Sequence, residues 1–248
     1  MKTLLVLGSK PEPMLPPPGS FDDIACANAS GNSAARYGLG SARLTVISAI
    51  LTSASKPANR QALQAMRGLH TDMLFFYPRR PPEGNLLQRM VAHVQGYRNK
   101  SWYVRRILRS YGYRWNEFLH PGLPHIVELF RSLSDCNADI AALMERKQPS
   151  TGILALAAGI ALGGYGRYIL SGFSFEITHA YAHNPLVGER GVASRHADTD
   201  IALLSYLARK LGTIYTTEPI VEQRAGVPLL QPVRSPSALP GGAQVLDR

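Results

Sequence analysis

The sequence predicts an α/β fold, a Rossmann-like and mostly parallel sheet with helices on both faces. Three observations predict it. Short apolar runs closed by polar, Pro or small residues alternate with segments of helical spacing. One stretch, "STGILALAAGIALGGYGRYILSGFSF", reads as helix, glycine stop and strand in direct succession. Another, "DTDIALLSYLARKLG", carries acidic residues at its start, Arg209 and Lys210 at its end and Gly212 as a terminator, and it leads into a last strand, "TIYTT".

Along the chain, "TLLVLG" is the first strand, and "DDIACAN", "ARLTVISAIL" and "TDMLFFYP" follow it as further strands. Between the first two lies "KPEPMLPPPGS", too rich in proline for an ordinary crossover helix. Helical spacing recurs in Asn85 to Val94, Tyr103 to Ser110 and Asp139 to Arg146. Ser150 and Thr151 then begin a helix that stops at Gly163 and Gly164, and the chain re-enters as the strand Tyr168 to Ser171. Residues 1–225 read as one domain. From Gly226 onward, prolines recur every four residues, which is not the three-residue repeat of a polyproline helix, and 226–248 is expected to be a flexible or loosely docked tail.

The balance of 27 Lys and Arg against 17 Asp and Glu gives a net charge of +10 and favours anionic partners. Much of this charge lies between Arg79 and Asn116, where Glu83 is the one acidic residue and six Tyr and Trp are interleaved with the basic ones. The stretch 98–115 supports three readings: a nucleic-acid face with stacking platforms, an interfacial helix on anionic lipid, or a solvated basic helix whose rings pack inward. No run of 18 apolar residues is present and the apolar N-terminal stretch is short for a signal sequence, so a cytoplasmic location is expected. Cys26 and Cys136 are too few for a disulfide framework or zinc cluster and read as free thiols.

The chemistry-bearing residues concentrate late. "SGFSFEITHAYAHNP", Ser171 to Pro185, holds Glu176, His179, Tyr181 and His183 just past a strand end, and His196 follows. Three His in one loop region point to proton transfer or anion binding, whereas Pro185 argues against the helix that would place His179 and His183 together on a metal. "GSKPEP" puts Gly8 and Ser9 where backbone amides often meet phosphate, but it matches neither a Walker loop nor GxGxxG. In "HADTD" the Asp-x-Asp is open to a metal reading. Because it starts a helix, Asp198 is expected as N-cap or first-turn residue and Asp200 in the first turn.

In order and spacing these pieces resemble the bacterial sialyltransferases of glycosyltransferase family 42. The resemblance runs through "LLVLGS", "DDIACAN" with its Asp and, five residues on, its Asn, the long "STGILALAAGIALGGYGRYILSGFSF", "AYAH", "HADTDIALL" and "TIYTT". It covers roughly half of the chain, and 81–146 matches poorly.

The resemblance implies a Rossmann-like domain with a small helical or loop lid, a CMP-sugar donor bound without metal or other cofactor, and inversion at the anomeric carbon. It implies that Gly8 and Ser9 belong to the nucleotide loop, that Asn28 contacts the donor, and that Thr151 and Gly152 present a helix N-terminus to it, with Gly172 and Arg195 in the same donor-binding set. Tyr181 would support the leaving phosphate and His196 would be the base, with His183 as the second candidate. Two departures accompany this. Glu176 stands where the family has a second phosphate-binding Tyr, and His196 is one position closer to the Thr-Asp-Ile than the family's His. The implied partners are a CMP-sugar and a glycan or glycolipid acceptor, with peripheral membrane contact through 98–115 on the inner face of the cytoplasmic membrane. The alternatives are another Rossmann-type nucleotide-dependent transferase, and a non-enzymatic module for RNA or anionic lipid.

Overall fold

The computed structural model describes residues 1–49, 51, 57–78, 95–176 and 193–230. Seven strands form one sheet: β1 (Lys2–Leu7), β2 (Asp23–Ala27), β3 (Ala42–Ser48), β4 (His70–Tyr77), β5 (Arg114–Leu119), β6 (Tyr165–Ser171) and β7 (Ile214–Thr216). Their order is β5-β4-β3-β2-β1-β6-β7 and every pairing is parallel. The described α-helices are α1 (Gly31–Arg36), α2 (Pro57–Ala65), α3 (Ser101–Ser110), α4 (Leu123–Leu133), α5 (Ala138–Arg146), α6 (Thr151–Leu162), α7 (Ala197–Leu211) and α8 (Pro219–Ala225).

The sheet is buried on both faces, as parallel sheets require. Side chains alternate along β1, so Leu4 and Val6 join a core with α4 to α8, while Leu5 and Leu7 join Ile24, Cys26 and Ile169 on the opposite face beside α1. Farther along that opposite face, Leu74 and Phe76 pack with Leu63 of α2 and Val104 and Leu108 of α3. Helix α6 is buried from Thr151 to Gly159, which explains its apolar, small-residue composition without an amphipathic stripe.

Several boundaries differ from the sequence reading. The basic aromatic stretch 98–115 is not one element: Gly112, at φ +74, ends the turn after α3, and β5 begins at Arg114. The last large strand starts at Tyr165, three residues before the expected Tyr168. Between β1 and β2 the described chain is irregular, as "KPEPMLPPPGS" predicts. The helical spacing over 85–94 lies outside the described residues. Beyond α8 the chain stays packed as far as Leu230: Val227 is fully buried, and Leu230 N–H donates to the Thr216 carbonyl at 2.7 Å. No helix among the described residues is long and apolar enough to cross a membrane.

The strand order defines the place for a ligand. From β1 the chain builds outward to β5, then returns to the other side of β1 with β6 and β7. Loops leaving the carboxyl ends of β1 and β6 therefore diverge, and the crevice between them is the switch point at which open α/β sheets bind ligands.

Candidate active site

Gly8 and Gly172 form the floor of the crevice. Gly8 N–H donates to the Ser171 carbonyl at 2.8 Å, and Lys10 N–H donates to that of Gly172 at 3.0 Å. A Cβ on Gly8 would lie 2.3 Å from the Gly172 carbonyl oxygen, and Gly172 itself has φ +75, so neither position accepts a side chain without strain. Ser9 lies between Gly8 and Lys10 in this loop.

Glu218, at the N-cap of α8 and 1 % exposed, straps the loop down. One carboxylate oxygen accepts from Met14 N–H at 2.8 Å and Gly172 N–H at 2.9 Å, and the other meets the Lys10 ammonium at 2.6 Å. Ser171 adds a hydroxyl bond to the Met14 carbonyl at 2.7 Å. The Pro-rich segment thus has a structural role that its composition did not reveal. Sequence reasoning missed Glu218, whose partners lie more than 40 and 200 residues away; its only local signal is a Glu just before a helix-starting Pro.

The second wall is the N-terminus of α6. Ser150 caps it, accepting from Ile153 N–H, and first-turn N–H groups of any helix lack intrahelical acceptors. Asn28, in a left-handed conformation at φ +52, ties this end to the sheet. Its Oδ1 accepts from Ser48 N–H at 3.0 Å, and its Nδ2 donates to Thr151 Oγ1 at 3.2 Å, which leaves one amide hydrogen for a ligand. Gly152 packs against Phe173: a Cβ there would lie 2.7 Å from the ring. Gly8, Asn28, Thr151, Gly152 and Gly172 therefore converge at the carboxyl ends of β1, β2 and β6.

The third wall is the start of α7, where His196 is the N-cap. Its Nδ1 lies 2.7 Å from the Gln148 carbonyl oxygen, so Nδ1 carries the hydrogen and donates. Its Nε2 accepts from Arg195 Nε–H at 3.0 Å. Burial lowers the imidazole pKa below the usual 6.5, and the charges of Arg195 and Lys147 lower it further, against the raising effect of the Gln148 carbonyl. The ring is a neutral base, and its available lone pair is held by an exposed arginine.

One turn on, Asp200 is 5 % exposed and accepts from Ser150 N–H at 2.8 Å. Burial pushes its carboxyl up to about 7, although the bonds from Ser150 and the charge of Lys147 oppose the rise. Both Asp198 and Asp200 lie in the first turn, but Asp198 is exposed and Asp200 is buried, so the Asp-x-Asp does not present a paired chelate. Among the described residues no group of three or more His, Cys, Asp or Glu is placed to hold a metal ion.

Tyr181, His183 and His179 lie outside the described residues. Glu176 is exposed and forms an antiparallel bridge with Ala193, and Ser194 N–H donates to the Phe175 carbonyl at 2.9 Å. Residues 176 and 193 thus sit side by side, between Phe173 and His196. His120 and His125 belong elsewhere: His120 follows β5 and packs tilted against Phe76, with ring centres 5.0 Å apart, and His125 is in α4. Cys26 is fully buried and its thiol is pushed up to about 12, which makes it an inert core residue.

No protein-family model and no curated protein matches the chain. Solved structures do. The sialyltransferase CstII from Campylobacter jejuni, in complex with the substrate analogue cytidine-5'-monophosphate, superposes with a TM-score of 0.50 at 17 % identity, over 96 % of this chain and 88 % of that one. A structure of CST-II with a trisaccharide acceptor and CMP gives a TM-score of 0.50 at 16 % identity, over 99 % and 93 %. The likeness is one of fold.

Proposed function

We propose that the protein is a glycosyltransferase that moves an acidic sugar, sialic acid or a related nonulosonic or ulosonic acid, from a CMP-sugar to a hydroxyl of a bacterial surface glycan. The observation that carries this reading is the neutral imidazole of His196 beside an anion-accepting helix end, at the switch point of a parallel sheet. The donor's phosphate faces the α6 N-terminus, with Asn28, Thr151 and Gly152 around it and Gly8, Ser9 and Gly172 below. The acceptor oxygen attacks the anomeric carbon from the face opposite CMP, and the glycosidic bond forms as the bond to the phosphate oxygen breaks, with inversion. His196 Nε2 takes the acceptor proton once Arg195 swings from it to the departing phosphate. Tyr181 adds a hydroxyl donor to the leaving group, and His183 is the alternative base. No metal or other cofactor enters this scheme.

Calorimetric titration with CMP in the presence of chelator, with UMP and adenosine nucleotides as controls, tests the donor. Selective binding of CMP is expected; equal binding of every nucleotide favours another Rossmann-type transferase. In His196→Ala, CMP affinity should persist while turnover falls roughly 10²–10⁴-fold. Because burial holds the folded pKa of His196 below 6.5, the rate should fall to half its maximum only at a pH below 6.5. A rate already falling well above pH 6.5 assigns the base elsewhere.

A further inference from the structure

Helix α3 presents a charged face that the site does not use. Val104 and Leu108 anchor it in the core, while Arg105, Arg106 and Arg109 are exposed. These arginines share one open face of α3 with Ser101 and Trp102. Arg105 and Arg109 lie over the rings of Phe118 and Trp115, at 4.5 and 5.4 Å from the ring centres. Arg106 has no hydrogen bond or ion pair among the described residues, and no Asp or Glu occurs between 95 and 116 to neutralise the row. Trp102 is 57 % exposed at the N-terminal end of the same face, with Tyr97 39 % exposed beside it.

The topology aims this face. Because α3 runs into the amino end of β5, its own N-terminus, with Trp102, lies at the carboxyl edge of the sheet, where the crevice opens. Four strand spacings, roughly 19 Å, separate β5 from β1. We infer that α3 docks the protein on an anionic lipid surface, Trp102 and Tyr97 entering the headgroup layer and the arginines meeting lipid phosphates, so that the acceptor is a membrane-borne glycan reached at the same edge.

Charge complementarity carries the choice of partner, and the arrangement of the rings separates lipid from nucleic acid. Tyr103 meets both Tyr97 and Trp102 edge to face, at 4.9 and 5.8 Å with interplanar angles near 90° (89° and 87°). Such a cluster forms an amphipathic wedge at one end of a basic helix, as interfacial helices have, and not a row of parallel faces on which bases stack. The identity of the acceptor rests on the transferase reading; the docking surface does not.

Cosedimentation of the full chain with vesicles tests the surface. Selective binding to phosphatidylcholine vesicles containing phosphatidylglycerol, over phosphatidylcholine alone, is expected, weakening as salt rises. Arg106→Glu should reduce it on the order of 25-fold, at about fivefold per unit charge. Trp102→Ala should reduce it severalfold, and both variants should keep the wild-type circular dichroism and CMP titration. Equal binding to both vesicle types, no binding at low salt, an unaffected Arg106→Glu variant, or a preference for single-stranded RNA over vesicles would each overturn the inference. Lipid binding without CMP binding would leave the docking surface standing and remove the transferase; CMP binding without lipid binding would do the reverse.

Discussion

A carboxylate buried in the first turn of a helix has to be held by what donates to it, and for Asp200 the donor is the backbone N–H of Ser150, on another helix. Asp200 and His196 together pin both ends of Gln148–Ser150, the lead into α6. Burial raises the folded pKa of Asp200 to about 7, above the ordinary carboxyl value of 3.8, so its contribution to stability is fully present below pH 4 and is lost as the pH rises through 7. Asp200→Asn keeps an oxygen acceptor for Ser150 N–H and removes the ionisation. Its stability relative to wild type should therefore improve between pH 5 and pH 8, by on the order of 1–3 kcal/mol. Melting temperatures of both proteins at the two pH values check this, and a pH-independent difference would show that the Asp200 carboxyl ionises in the folded state as readily as in the unfolded one. The sequence alone places Asp200 in a first turn, correctly. It does not reveal the burial, because Asp-x-Asp at a helix start ordinarily faces water and the deciding partner is 50 residues away. The order of motifs singles out His196, Asn28 and Thr151 as candidates, and the structure places Asn28 against Thr151 at 3.2 Å; the Arg195 bond that occupies the His196 lone pair leaves no trace in the sequence.

At the scale of elements, α6 carries the largest share of the proposed donor site, and Gly152 is its most constrained position. Alanine is the better helix former by about 1 kcal/mol. Here, however, its methyl would meet the Phe173 ring at 2.7 Å, and the ring is itself buried between α6 and the end of β6. Gly152→Ala should therefore destabilise the fold by about 1–3 kcal/mol and weaken CMP binding, through displacement of the first-turn amides. Urea unfolding and CMP titration read the two effects, and adding Phe173→Leu should restore part of both. A single variant as stable as wild type would mean that Phe173 has room to move. Strands buried on both faces, β1 to β4, were legible as apolar runs. Strand β5 was not: at the sheet edge it is half exposed, and "RWNEFL" alternates neither cleanly nor as a continuous apolar run. Helix α4 went unread because its Pro and His precede a short apolar stripe.

For the whole molecule, the two-faced burial follows from the alternation of elements, and one residue gathers several of the bonds that hold the loop after β1 to the end of β6. Glu218 joins the Pro-rich loop after β1, the end of β6 and the N-terminus of α8, and its charge is balanced by Lys10. Glu218→Gln preserves size and one acceptor oxygen but leaves the Lys10 ammonium, about one-third exposed, without its counter-charge. Removing one partner of a fully buried pair costs about 3–5 kcal/mol; with Lys10 partly solvated, the loss should be about 1–3 kcal/mol. The loop that carries Gly8 and Ser9 should loosen along with it, so CMP binding should weaken in the same variant. Lys10→Met leaves the buried Glu218 carboxylate with two backbone N–H donors but no counter-charge, and should lower stability at least as much. Denaturant titrations of the two variants separate the contributions. If Lys10→Met proves harmless while Glu218→Gln does not, the two backbone bonds and not the ion pair hold the Pro-rich loop to the end of β6.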